Sequence, residues 1–321
     1  MYPNADTQPT SFTLGKRNLW QETNLGEGAF GQVFKVREQG SSQLFALKNI
    51  DVSGEKIESL QSREVNMLAR CTKHQHIVTL YDVKIVGSQA LILMEYCSGG
   101  NLNKRLARAG ITEDRKLRWM SELADAIRFL HSQDIVHRDL KPENVFLTST
   151  DSIKLGDFGL AREYTALKQG DETASDQDYV SYMKMYFMSL KRKTPVSPAT
   201  ALFIAPELFN CHYKNTADVF SLGVIFYVIQ TLSYEIFEGE KYFVGMVTVN
   251  GEKHGFGKAL KLDRNIQLPL SGVNPRRRRE LVRSMLHYNP KQRPSAEDVY
   301  RDVQDIENDT ETVSLSEPNQ D

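Results

Sequence analysis

Asp139, Lys141 and Asn144 stand within the run His137-Arg138-Asp139-Leu140-Lys141-Pro142-Glu143-Asn144, which places a carboxylate, a cation and an amide in one short segment. Phosphoryl transfer needs such a set: a carboxylate to orient a hydroxyl, a cation to neutralise developing charge, and an oxygen ligand for magnesium. Downstream comes Asp157-Phe158-Gly159, whose Asp157 ends the short strand pattern Ile153-Lys154-Leu155. A second carboxylate there adds the hard oxygen donor that Mg²⁺ prefers.

Two further sets lie upstream. Gly26-Glu27-Gly28-Ala29-Phe30-Gly31-Gln32-Val33 has the glycines that let a backbone approach phosphate oxygens. Alone the pattern is weak, and a glycine-rich hairpin turn fits it as well. Val33-Phe34-Lys35-Val36 continues as strand rather than opening a helix, which argues against a dinucleotide fingerprint. Lys48 sits in the apolar strand pattern Leu44 to Ile50. Glu64 shares a helical face with Ile57, Leu60 and Leu68. A carboxylate on a buried stripe is costly unless a cation meets it, and Lys48 is the nearest upstream candidate. A solvated glutamate at a helix edge is the competing reading.

The elements that must hold these groups follow from periodicity. From Leu19 to about Ile92 the pattern is strand-like, interrupted by a helix over about 55–70 that takes Met67 into the core. After Gly99-Gly100 the pattern turns helical. Leu117, Met120, Leu123, Ala124, Ile127 and Leu130 mark a long amphipathic helix, and others are expected over 216–232, 277–287 and 295–306. This predicts an α+β protein of two lobes, about 18–96 and about 101–306. Residues 1–17, rich in Pro, Thr, Ser and Asn, read as a disordered tail, and 307–321 as an acidic solvated one.

Composition excludes several classes. The 321 residues carry a net charge of −1, with 40% apolar and 25% charged residues, so no global field favours nucleic acid or an anionic membrane. The three cysteines are far apart and lack metal-ligand spacing, which suits a reducing compartment. Met1 to Thr7 show no leader pattern, and the most apolar stretch, Val219 to Leu232, is too short to span a bilayer. The expectation is a soluble cytoplasmic or nuclear protein.

The four sets in this order resemble the protein kinase family, and Ala205-Pro206-Glu207, Asp218 and Arg293 extend the resemblance over about 19–305. The resemblance implies a small antiparallel sheet lobe with one helix, a larger helical lobe, and an activation segment over 157–207. It implies ATP and Mg²⁺ as cofactors and protein substrates as partners. By it, Gly26 to Val33 would cover the phosphates, and Lys48, paired to Glu64, would hold them. Leu25, Val33, Ala46 and Phe146 would bracket adenine, with Met94 at the gate and the backbones of Glu95 and Cys97 bonding the base. Asp139 would take the substrate hydroxyl, Lys141 would touch the γ-phosphate, and Asn144 and Asp157 would hold the metal. Glu207 and Arg293 would pair, and Asp218 would anchor the catalytic loop.

Within that family Lys141 is the serine/threonine form of the loop, and Thr200 matches the threonine that bonds the catalytic aspartate. Thr194 and Ser197 stand where members are often phosphorylated, which would require an upstream kinase and engage Arg138; ordinary loop hydroxyls are the alternative. A closer resemblance, to the PDLIM-interacting-kinase-like (Clik-type) subgroup, rests on His212 to Phe220, Glu235 to Leu270 and Met285 to Pro294. It implies nuclear and actin-linked associations. Arg276 to Arg279 read as a solvated helix face more readily than as a nuclear address. The rival class is a pseudokinase scaffold, which predicts the loss of Lys48, Asp139 or Asp157; none is lost, and the rival stands only on the long activation segment holding the site closed.

Overall fold

The computed structural model describes residues 10–28, 31–51, 65–163, 200–210 and 214–316. Ser11–Leu14 (β1), Arg17–Gly28 (β2), Gly31–Glu38 (β3), Leu44–Asp51 (β4), Leu80–Val86 (β5) and Gln89–Glu95 (β6) form one antiparallel sheet, ordered β1-β2-β3-β4-β6-β5. Strand alternation sorts their side chains into two sets. Phe34, Val36, Phe45, Leu47, Leu91 and Leu93 build a buried cluster with Leu14 and Leu19. The alternate positions Val33, Ala46, Lys48, Ile92 and Met94 turn to the opposite face, where Val33 lies across from Lys48 and Met94 from Ala46.

The disordered tail expected over 1–17 is corrected from Thr10 onward. Ser11–Leu14 pairs with Arg17 to Trp20, and Leu14 is wholly buried. The segment is polar on average, yet Phe12 and Leu14 alternate correctly for one covered face, and that periodicity outweighs the mean. At the other end the last helix runs Ala296–Ser316, beyond the expected boundary at 306. Residues 1–9 and 317–321 lie outside the described residues.

Residues 65–71, between β4 and β5 of the sheet lobe, are helical (α1). The second lobe is built on helices, beginning with Leu102–Leu106 (α2) and Glu113–Ser132 (α3). Thr112 caps α3 by accepting the Arg115 N–H at 3.2 Å, and Glu113 and Asp114 favour its positive end. All six expected stripe residues of α3 are buried. Thr216–Thr231 (α4) is buried from Ala217 through Gln230, so the most apolar stretch of the sequence is the lobe's central helix. Burying each of Phe220, Leu222, Ile225 and Ile229 is worth about 1.5–3 kcal/mol. Phe256–Leu262 (α5), Arg276–Met285 (α6) and Ala296–Ser316 (α7) complete the lobe, with α3 packed against α4 and α7. Among the described residues no helix is long and apolar enough to cross a membrane.

Two hairpins follow α4: Tyr234–Phe237 (β12) with Glu240–Phe243 (β13), and Met246–Val249 (β14) with Glu252–Gly255 (β15). Their turns, Glu238-Gly239 and Asn250-Gly251, take positive φ at both residues, the hairpin geometry that glycine and asparagine permit. Short strands hold the loops between the lobes: Gly100–Asn101 (β7), Ile135–Val136 (β8), Val145–Leu147 (β9), Ile153–Leu155 (β10) and Arg162–Glu163 (β11).

The four arginines opening α6 do not present a uniform solvated face. Arg278 is buried, donating to Glu113 Oε2 at 2.8 Å and Gln230 Oε1 at 3.2 Å. Arg276 pairs with Glu280, Arg277 with Asp309, and Arg279 donates to Val273 O and Asn274 Oδ1.

Candidate active site

The segment between β8 and β9 is held from beneath. Asp218, on the first turn of α4, accepts the backbone N–H of His137 at 2.8 Å and of Arg138 at 2.9 Å, and meets His131 Nε2 at 3.0 Å. Burial opposes its charge, but His131, His137 and the Arg138 N–H outweigh that and hold the carboxyl below its ordinary range. Arg138 is left at φ +73°, a strained backbone that Asp218 helps to hold. Arg293 forks onto Glu207 at 2.7 and 2.8 Å and lies over the Phe220 ring, as the resemblance implies.

Above this anchor the three groups of the loop converge. Asp139 Oδ2 accepts Lys141 Nζ at 2.9 Å and Asn144 Nδ2 at 2.9 Å, and Asn144 Nδ2 also donates to the Asp139 carbonyl at 2.8 Å. All three residues are buried. Asn144 O accepts the Gly156 N–H at 3.0 Å, which ties the next loop alongside. His137 bonds the Gly156 carbonyl through Nε2 at 3.0 Å and lays its ring against Phe158, with centroids 5.1 Å apart. Asp157 follows at φ +59° and accepts Lys48 Nζ at 3.2 Å, an ion pair that joins the lobes. Burial works against the Asp157 charge, but Lys48 and Lys141 prevail and keep the carboxyl below its usual pKa.

The sheet lobe roofs these groups. Gly26 pairs with Val33, and Gly28 with Gly31, across the tip of the β2–β3 hairpin. Gly31 takes φ +131°, and a Cβ there would fall 2.1 Å from Asn49 O, so only glycine fits. Leu25 is exposed, whereas Val33, Ala46, Met94 and, from below, Phe146 are partly covered, as cleft-lining residues are. The Phe146 ring packs onto Gly156, where an added Cβ would stand 2.9 Å from Cε2.

The Glu95 N–H is committed to Thr79 O at 2.9 Å because β6 still pairs there, so the part of the Glu95 backbone left to meet a base is its carbonyl. The Glu95 carboxylate is spent too, on Thr79 and on Lys154 at 3.0 Å. Cys97 lies in the same strip, its thiol pushed up to about 12 by burial and then by Glu95. Ala29, Phe30, Glu64, Thr194 and Ser197 lie outside the described residues. So do the side chains of Glu27 and Thr200, although the backbone of Thr200–Leu202 forms a 3₁₀ turn.

A sheet lobe and a helical lobe, closing on a lysine from one and two carboxylates and an amide from the other, have the protein kinase architecture. The chain belongs to the protein kinase domain family, which matches residues 20–303. It is 30% identical over 276 residues to serine/threonine-protein kinase Nek3 of Mus musculus, covering 85% of this chain and 46% of that protein. It is 31% identical over 210 residues to CBL-interacting serine/threonine-protein kinase 2 of Arabidopsis thaliana, covering 64% and 41%. Against serine/threonine-protein kinase ULK1 of Homo sapiens the identity is 31% over 228 residues, covering 67% and 19%. The chain spans less than half the length of each of these relatives.

Proposed function

We propose that this chain transfers the γ-phosphoryl group of ATP to serine or threonine hydroxyls of protein substrates. The observation that carries the proposal is the Asp139 carboxylate clasped between Lys141 Nζ and Asn144 Nδ2, each at 2.9 Å. A hydroxyl brought to Asp139 hands over its proton as its oxygen bonds to the γ-phosphorus. The bond from that phosphorus to the β–γ bridging oxygen breaks, and ADP leaves with the electron pair. Lys141 and Lys48 supply positive charge where phosphate oxygens gather it. Asn144 Oδ1 and the ionised Asp157 are the hard oxygen donors that fit Mg²⁺. When bound, Mg²⁺ neutralises phosphate charge.

Lys48, Asp139 and Asp157 are all in place, so no observation favours a scaffold without transfer. The test is label transfer from γ-labelled ATP to a serine/threonine peptide array, with Asp139→Asn and Asp157→Asn as controls. Transfer lost in both variants is expected; transfer that survives them defeats the proposal.

Two finer readings belong with it. Membership of the PDLIM-interacting-kinase-like (Clik-type) subgroup is supported by the sequence from Glu235 to Leu270, and with it a nuclear and actin-linked setting. Imaging of the tagged chain tests this, and a diffuse cytoplasmic distribution counts against it. Thr194 and Ser197 as phosphate acceptors for an upstream kinase are supported by their place before Thr200 and by Arg138 in the catalytic loop. Intact-mass analysis of Thr194→Ala and Ser197→Ala chains from cells tests this, and an unchanged phosphate count removes the reading.

A further inference from the structure

The fold treats the two edges of the first hairpin after α4 differently. In an antiparallel pair, opposite residues alternately exchange backbone bonds and turn those groups outward. Asn103 of α2 donates through Nδ2 to Lys241 O at 3.0 Å and accepts the Phe243 N–H through Oδ1 at 2.9 Å, so Lys241 and Phe243 are the outward-turned residues of β13. Their cross-strand partners are Ile236 and Tyr234. By the same alternation, Ile236 and Tyr234 turn their N–H and C=O groups outward along the far edge of β12. The Asn103 side chain closes the β13 edge. Among the described residues β12 has no second neighbour.

The side chains at this open edge match its backbone. Ile236 is 61% exposed and Tyr234 43%. They share one face of the hairpin. There Phe243, with ring centroids 5.8 Å apart, and Lys241 Nζ, 4.4 Å from the centroid, hold the Tyr234 ring in place. A single exposed apolar residue is ordinary. Sheet edges of soluble proteins, however, are guarded by charge, proline or bulges; here two apolar side chains accompany the outward groups. That combination suits strand addition, in which main-chain bonds give affinity and alternate side chains give selectivity.

Charge decides between occupants. Glu235, between the two apolar residues, lies on the opposite face, with Phe237 next on the same side and Glu238 opening the turn. If β12 pairs with its own copy so that Tyr234 meets Ile236, the two Glu235 side chains stand directly opposite each other, which is destabilising. Lys253 Nζ, 2.5 Å from Glu235 Oε1, offsets only part of this. A strand with a basic residue at its centre replaces the repulsion by an attraction, and Phe237 offers a ring on which a guanidinium stacks.

We propose that the open edge of β12 accepts an extended segment of a partner protein as an added antiparallel strand, with two apolar residues over Tyr234 and Ile236 and a basic residue between them beside Glu235. The inference needs no phosphoryl transfer, and binding alone tests it.

The test is fluorescence anisotropy of the full chain with labelled peptides carrying a Val-Arg-Val or a Val-Glu-Val core between threonines. Val-Arg-Val should bind saturably below about 1 mM and about tenfold more tightly than Val-Glu-Val. N-methylation of both valine nitrogens, which face the edge in antiparallel pairing, should weaken binding by about tenfold or more. N-methylation of the arginine nitrogen should leave it unchanged. Ile236→Pro removes one outward N–H and spares the β12–β13 ladder, because an edge strand tolerates proline at such a position. It should weaken binding by about tenfold with a native melting curve. If that variant does not fold, Ile236→Ser decides through the lost apolar cover, with a severalfold loss expected. The proposal is overturned by absent saturation, equal affinity for both cores, equal effects of the two methylation patterns, or native affinity in a folded Ile236 variant. Sedimentation equilibrium covers the second copy: a dimer that Ile236→Pro dissociates assigns the edge to self-pairing and likewise overturns it.

Discussion

Asp218 accepts the Arg138 backbone N–H at 2.9 Å from a helix whose buried surface is mostly apolar. The carboxylate therefore fixes the chain one residue before Asp139. Asn at this position keeps one acceptor oxygen and loses the charge. Asp218→Asn is expected to cost about 3 kcal/mol, the scale of losing charge-assisted bonds and leaving a buried N–H unpaired. Urea denaturation measures the loss, and kcat should fall more than KM rises, because the loop that carries Asp139 loosens.

Phe146 and Gly156 are packed against each other, and the fit is specific. Gly156→Ala should disturb the ring and weaken nucleotide binding. Phe146→Leu, which removes the obstructing edge, should recover part of that loss. A double-mutant cycle on nucleotide Kd is expected to show a coupling of about 1 kcal/mol, within the usual range for residues in contact. Strict additivity would mean that the two sites relax independently.

Arg293 gives Glu207 a planar fork and also donates to three backbone carbonyls, those of His287, Thr216 and Tyr288. Arg293→Ala leaves an uncompensated carboxylate and should cost about 3–5 kcal/mol. Arg293→Lys keeps the charge but not the fork, so it should rescue only a small part. Thermal unfolding of both variants checks this; full rescue by lysine would reduce the pair to simple charge.

Asp125 has a folded pKa of about 2, down from 3.8, because it bonds His74, with Arg128 adding to the effect against burial. A depressed folded pKa means that the stabilisation is fully present above about pH 4 and disappears as pH falls toward 2. The stability gap between the native chain and Asp125→Asn should therefore be up to about 2 kcal/mol at neutral pH and close over that acid interval. Urea midpoints across the pH series measure it. A gap that stays constant with pH would show that the charge contributes nothing.

The catalytic loop was legible because its groups are contiguous in the chain: Asp139, Lys141 and Asn144 cannot be far apart once one loop holds them. Lys48 and Asp157, distant in sequence, needed the resemblance to be joined. Over residues 1–17 the polar composition masks the alternation of Phe12 and Leu14 that makes Ser11–Leu14 a strand. The hairpins after α4 left a readable trace in Asn250-Gly251. The Glu95 N–H could not be assigned from sequence, since its partner depends on where β6 stops pairing.

The arginines at the head of α6 each have a partner within the chain, Glu280, Asp309, Glu113 and Gln230, or Val273 and Asn274, and Arg278 is buried. A short peptide cut from this stretch would lose these partners and free Arg278, so it would display four positive charges together where the folded chain buries one and pairs the rest. Import assays with such a fragment therefore report on the fragment, and trafficking has to be measured on the folded chain.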